Sequence, residues 1–305
     1  MRKVIGIGET ILDIIFKNEQ PWTAVPGGSV FNSIVSLAHM GVKVDFVSEV
    51  GQDPVGEMIQ RFMQDNGISP QYMDVNASSK SPISLAFLDA NNEAQYTFYK
   101  NYSKQRLMVE LPEVEENDVV MLGSFYAVDP ALRHKVVELL RKAKDNKAIV
   151  LYDLNYRRPH KHDAIKVAPF ILENLEFADI VRGSEEDFMC LYDLSDADKI
   201  YADKIRFYCK NFVYTAGVKD VQLRTATLSK SYGVPKVDPV STVGAGDNFN
   251  AGLVMGLLKL GIGYDDLPSL TETQWDELIA YGQKCAIEVC RSTDNSVPKG
   301  FDIEY

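Results

Sequence analysis

The sequence predicts an α/β fold: a mostly parallel sheet flanked by helices, with a small β-sheet lid inserted into it. Three observations lead there. After residue 118, short apolar runs alternate with segments of helical periodicity, the pattern of strands laid parallel by helical crossovers. Between Pro82 and Tyr99 that alternation gives way to a period-two, aromatic-rich stretch that reads as an antiparallel hairpin. No internal repeat, low-complexity tract or Gly/Ser linker divides the 305 residues. One domain over 1–305 is therefore expected, with lid segments at about 14–25 and 82–100.

The elements follow in order. Residues 3–7 form a short buried strand ending at Gly8-Glu9. Gly6-x-Gly8 begins a dinucleotide fingerprint, but Ile11 stands where its third glycine belongs, which argues against a nicotinamide enzyme. Asp13 is a lone acid in an apolar run, either exposed by a turn or placed to grip a ligand hydroxyl. Residues 17–26, with Pro21 and Pro26, have loop composition. Gly27-Gly28-Ser29 opens a helix with Val30, Phe31, Ile34, Val35 and Leu37 on its apolar face and Gly41 at its end. Asn32 falls in its first turn. Val42–Val47 is the next strand, and Gly51 to Gly56 a turn into a helix reaching about Met63. Glu57 and Met58 replace the Lys and Ser/Thr of a Walker A loop, which excludes that site.

In the hairpin, Asp89-Ala90-Asn91-Asn92 supply the turn. Its aromatic residues on both faces suit a sheet that covers a ligand or pairs with another subunit, with a plain surface hairpin as the alternative. Strands then follow at 118–122, 148–152, 180–181 and 212–214, and helices at 129–144, 163–174 and 184–192. Ligands of such sheets sit at the carboxyl ends of strands. Asp153, Asn155 and Arg157, Ser184 and Asp187, and Thr215 and Gly217 all follow strand ends. His160 and His162 lie in the basic run 157–162, which reads as a surface loop rather than a metal site.

The stretch Ser241 to Gly252 turns abruptly from loop into helix, with Phe249, Leu253, Val254, Leu257 and Leu258 as its apolar stripe. A helix start presents unpaired N–H groups and the positive end of the macrodipole. Gly244, Ala245 and Gly246 allow an anion to approach that backbone closely. Asp247 is either a helix-start acid that complements the dipole or a base that takes a proton from an attacking hydroxyl.

The formal net charge of −11 disfavours nucleic acid or an anionic membrane as main partner. A nucleotide needs only a local positive potential. The four cysteines form no CxxC pair, and Cys285 and Cys290, five apart on a predicted helix, point in different directions. With neither a signal-peptide pattern nor an apolar run of spanning length, a reduced, cytoplasmic protein is expected.

These runs resemble the ribokinase-like (PfkB) family of carbohydrate kinases over nearly the whole chain. Thr242-Val243-Gly244-Ala245-Gly246-Asp247-Asn248-Phe249 is similar to the family's C-terminal signature. Gly27 to Asn32, followed by Leu37-Ala38-His39-Met40-Gly41, is similar to its N-terminal one. The resemblance implies a ribokinase-like sheet with a β lid, mediating homodimers in some members. It implies ATP-dependent phosphorylation of a hydroxyl on a small sugar or sugar acid, as in fructokinases, ribokinases or ketodeoxygluconate kinases. Asp247 would match the general base and Gly244, Ala245 and Gly246 the anion hole. Asp13, Gly28 and Asn32 would match positions that bind sugar hydroxyls. Arg157 would neutralise a substrate phosphate or carboxylate, or pair with a nearby acid. Ser184, Thr215 and Gly217 would lie along the nucleotide, with Mg²⁺ on its phosphates and Asp187 reaching the metal through water.

Four residues depart from the family pattern. Ser241 replaces an Asp tied to a monovalent-cation loop, which leaves K⁺ dependence open. Ser184 and Asp187 replace Asn and Glu, and Asp220 replaces a glycine. These departures admit a rival function, a sugar-sensing relative without catalysis, which the intact glycine loop and Asp247 oppose.

Overall fold

The chain enters through β1 (Val4–Ile7), all of whose residues are buried, and leaves at once for a second sheet through β2 (Ile11–Lys17) and β3 (Gln20–Gly27). It returns through α1 (Ser29–His39), β4 (Val44–Gly51), α2 (Pro54–Asp65) and β5 (Met73–Asn76). β6 (Lys80–Leu88) and β7 (Ala94–Asn101) complete the second sheet. Regular alternation follows: β8 (Val119–Gly123), α3 (Arg133–Asp145), β9 (Ile149–Asp153), α4 (Ala164–Phe177), β10 (Ile180–Ser184) and α5 (Glu185–Tyr192). The short α6 (Ala197–Ile200) leads to β11 (Phe212–Thr215), β12 (Asp220–Arg224) and β13 (Ser229–Gly233). α7 (Ala245–Lys259) and α8 (Glu272–Cys290) close the chain. This is a computed structural model, and it describes residues 2–88 and 94–303. The predicted turn at Asp89 to Asn92 lies outside the described residues.

The main sheet has the order β13-β12-β11-β10-β9-β8-β1-β4-β5. It is parallel from β11 to β5 and antiparallel at β11–β12–β13. Its central strands β1 and β8 and the body of β9 read as unbroken apolar runs because both faces are covered. Ile5, Val120, Leu122, Val150 and Tyr152 point toward the α3–α5 side. Val4, Val119, Met121, Ile149 and Leu151 point toward α1, α7 and α8. The second sheet, which the sequence reading expects to act as a lid, has the order β3-β2-β6-β7, with antiparallel pairs β2–β3 and β6–β7 joined by a parallel β2–β6 seam.

One expectation needs correction: residues 20–27 are a strand, not part of a loop. β3 is an edge strand, where proline's missing N–H need not face a partner, so Pro21 and Pro26 are tolerated. The hairpin at β12–β13 was not foreseen. Asp53, at the would-be phosphate loop, caps α2 by accepting from the Gly56 N–H at 2.9 Å and also binds Ser81. Among the described residues no helix is long and apolar enough to cross a membrane.

Candidate active site

α7 begins abruptly. Gly244 takes a left-handed backbone, φ 79°, which an L side chain rarely adopts. Its carbonyl accepts from the Asn248 N–H at 2.9 Å and from Asn248 Nδ2 at 2.8 Å. The Ala245 N–H makes a long 3.3 Å bond to the Thr242 carbonyl. The N–H groups of Gly246 and Asp247 donate to no described group, so two amides stand open at the positive end of a 15-residue helix.

The Asp247 side chain is buried. Its Oδ2 accepts from Asn32 Nδ2 at 2.8 Å, and its Oδ1 lies 3.4 Å from Asn155 Nδ2. Ser33 Oγ donates to the Asp247 carbonyl at 2.7 Å, fastening α7 to α1. Asn155 holds a left-handed backbone, φ 38°, just beyond β9. Burial pushes the Asp247 carboxyl up to about 6, opposed by the Asn32 hydrogen bond and by the nearby Arg157 and Arg182. Such a carboxyl is ionised at neutral pH yet remains a usable proton acceptor.

Behind the helix mouth lies a buried polar network in which sequence reasoning named Asp153 and Thr215 but missed Arg182 and Asn250. Arg182, in the middle of β10, contacts both Asp153 carboxylate oxygens at 3.2 Å and Thr215 Oγ1 at 2.7 Å. Asn250 Nδ2 donates to Asp153 Oδ2 at 2.7 Å. A β-carbon on Gly246 would sit 2.9 Å from an Arg182 terminal nitrogen, so the guanidinium packs directly against the glycine of the helix mouth. The signal was present: an arginine between Val181 and Gly183 in a buried strand is unusual without a partner.

The other expected residues are placed as follows. Asp187 is buried, and its Oδ2 accepts from the Ser184 N–H and Oγ at 2.6 and 2.8 Å. Its Oδ1 accepts from the Tyr156 N–H at 2.6 Å. The pair is thus a capping box at the start of α5. Arg157 is exposed and reaches Glu186 at 3.3 Å. Gly217 turns with φ 59° and has open space above it. Ser241 Oγ accepts from the Val243 N–H at 3.2 Å.

On the lid, Asp13 lies in β2 and accepts from Ser84 Oγ of β6. Burial, countered by Ser84 and reinforced by Glu9, raises its carboxyl to about 6. Gly28 has φ 139°, and a β-carbon there would meet the Glu9 carbonyl oxygen at 2.1 Å. Glu9 accepts from Lys100 Nζ at 2.7 Å and from the Tyr102 hydroxyl, tying the first lid entry to the lid's exit. Asp13, Asn32, Asn155 and Asp247 thus gather where the second sheet, α1, β9 and α7 meet, whereas Thr215 belongs to the Arg182 network behind them. A cavity of about 370 Å³ has Val25, Pro26, Asn32, His39, Asn66 and Asn295 among its walls. A larger hollow of about 580 Å³ lies on α3 and holds none of these residues.

Residues 1–299 match the family model described as pfkB family carbohydrate kinase. A fructokinase from Vibrio alginolyticus is 24% identical over 261 residues, spanning 85% of this chain and 85% of its own. The structure of aminoimidazole riboside kinase from Salmonella enterica, complexed with aminoimidazole riboside and an ATP analog, superposes with a TM-score of 0.80. It is 22% identical, with 96% of this chain and 95% of that one covered. Fructokinase from Vibrio cholerae, in a fructose-, ADP- and calcium-bound form, gives a TM-score of 0.82 at 19% identity, covering 97% and 94% of the two chains. These structural likenesses establish the fold. The match over nearly the full length, on a chain whose helix mouth and lid lie as described, means that this protein belongs to the pfkB family of carbohydrate kinases.

Proposed function

We propose that the protein transfers the γ-phosphoryl group of ATP to a hydroxyl of a small sugar or sugar acid, with Asp247 as general base. The observation that carries this reading is the pairing of a buried carboxyl, raised to about 6, with the open amides of Gly246 and Asp247 on the same helical turn. Asp13 from the lid and Asn32 from α1 hold the sugar hydroxyls, and the Gly28 turn brings backbone close to them. Asp247 takes the proton of the attacking hydroxyl, a role worth about 10²–10⁴ in rate. The open amides of Gly246 and Asp247, on the turn that Gly244 and Ala245 begin, hold charge on the transferring group, with Arg182 adding fixed positive charge behind Gly246. Ser184, Thr215 and Gly217 line the nucleotide side, and Arg157, paired with Glu186, would neutralise a substrate phosphate or carboxylate. The lid excludes water from the reacting group.

Among the described residues no group of three or more His, Cys, Asp or Glu is arranged to hold a metal ion. Mg²⁺ would be carried by phosphate oxygens and water, and Asp187, whose two oxygens already accept from Tyr156 and Ser184, would reach it through water. When bound, the ion neutralises phosphate charge. The lid exposes Trp22, Phe87 and Tyr99, which suits pairing of two lids in a homodimer, and sedimentation equilibrium tests it. The functional test is ADP release with D-fructose, D-ribose, 2-keto-3-deoxy-D-gluconate and a sugar phosphate, with and without K⁺. Turnover with one of them, abolished in Asp247→Asn, is expected. No sugar-dependent ADP release across the panel would refute the proposal.

A further inference from the structure

Asn295 is a buried polar residue whose side-chain amide has no hydrogen-bond partner among the described residues. Its exposure is 9%. Its carbonyl accepts from Asn248 Nδ2 at 2.8 Å and packs against Gly244, which seats the loop after α8 on the mouth of α7. The backbone is therefore fixed while the side chain points elsewhere. Its Nδ2 lies 3.5 Å from the position that a β-carbon on Gly27 would occupy. Asp13 Oδ2 lies 2.7 Å and Asn32 Oδ1 3.7 Å from that same position. Side chains from the second sheet, from α1 and from the C-terminal loop thus converge beside Gly27, where a side chain would strike Asp13, and Asn32 and Asn295 also line the cavity of about 370 Å³ that reaches Pro26.

We propose that Asn295 is a specificity-determining residue, donating a hydrogen bond to a sugar hydroxyl held in that cavity beside Gly27. The proposal rests on the sugar-kinase reading above. The chemistry is matched: a hydroxyl both donates and accepts, and the space beside Gly27 offers one donor, Asn295 Nδ2, opposite two acceptors, Asp13 Oδ2 and Asn32 Oδ1. With the amide reversed, Asn295 would turn an oxygen toward those two oxygens. The occupant is an uncharged, hydroxyl-bearing part of the substrate, since a carboxylate or phosphate there would face Asp13. A substrate lacking that hydroxyl leaves the buried amide unpaired and is discriminated against.

The test compares the parent with Asn295→Ala and the isosteric Asn295→Asp. Calorimetric binding and ADP release are measured with D-fructose, D-ribose, D-glucose and 2-keto-3-deoxy-D-gluconate, then with monodeoxy analogues of the best sugar. Sugar affinity should fall about ten-fold or more in both variants, with KM for ATP within about two-fold and an unfolding midpoint close to the parent's. One deoxy analogue should bind the parent about ten-fold more weakly than its sugar, and Asn295→Ala should lose that discrimination. Parent-like sugar affinity in Asn295→Ala, or retained discrimination, overturns the proposal. A parent that binds a sugar but releases no ADP refutes phosphotransfer, and the affinity comparison then decides the Asn295 contact alone. A parent that binds none of the four sugars overturns both.

Discussion

Replacing Asp247 by Asn should lower turnover and raise stability at the same time. The side chain is buried, and its carboxyl is raised from 3.8 to about 6. That rise corresponds to about 3 kcal/mol against the ionised form in the fold. Because the folded state binds this proton more tightly than the unfolded chain, the associated stability is fully present below about pH 4. It is lost as pH rises to about 6. At pH 8 the native protein therefore carries the whole penalty, and an uncharged amide relieves it. The relief is incomplete, because Asn32 and Asn155 both aim amide nitrogens at the carboxylate and one would then face another donor. A net gain of about 1–2 kcal/mol at pH 8 remains, with little or none at pH 4. Over the same substitution kcat should fall by about 10²–10⁴, while calorimetry finds ATP and sugar bound nearly as before. Calorimetric unfolding at the two pH values, together with ADP release, measures both effects. Turnover within a few-fold of the parent, or a variant less stable at pH 8 than at pH 4 relative to the parent, would refute the reasoning.

Four further outcomes are expected. The log of kcat/KM should rise with pH to a plateau above about 6, where Asp13 and Asp247 are both ionised, and a flat profile from pH 5 to 8 contradicts this. Arg106→Ala should destabilise the fold by about 3–5 kcal/mol in urea unfolding at pH 8, because it strands the buried Glu49 of β4. That loss should shrink at acid pH, where Glu49, already raised by burial, protonates. Gly28→Ala, whose β-carbon would strike the Glu9 carbonyl, should lose sugar binding along with at least about 1–3 kcal/mol of stability. Arg182→Gln should reduce kcat by on the order of 10²-fold with sugar KM little altered, and an unchanged kcat would exclude charge support by Arg182.

Much of the site could be read locally, because its main signal is itself local. Two glycines around an alanine, then an acid and an apolar helical stripe, specify the mouth of α7 without any long-range contact. The same holds for Gly28 and Asn32 at the start of α1. What failed depended on neighbours distant in sequence. Pro21 and Pro26 look like loop residues until β3 is known to lie on a sheet edge. β12 and β13 are short and mixed in polarity, and they become strands by extending an edge that β11 offers. Arg182 and Asn250 become intelligible only when Asp153 is found between them, and Asn295 only when Gly27 is seen beneath it. Ser184 and Asp187 are the reverse case: their spacing is that of a capping box, a local reading that the family resemblance had displaced.

The backbone crosses between the two sheets four times, at residues 8–10, 28, 77–79 and 102–118. A flap sewn to its frame by so many stitches cannot wander like a tethered domain. The Gly28 crossing packs against the Glu9 carbonyl, and Glu9 in turn binds Lys100 and Tyr102, so the two ends of the sheet share one anchor. For the sugar binding proposed above, much of the ordering would therefore already be built into the chain's path, with less left for the guest to impose.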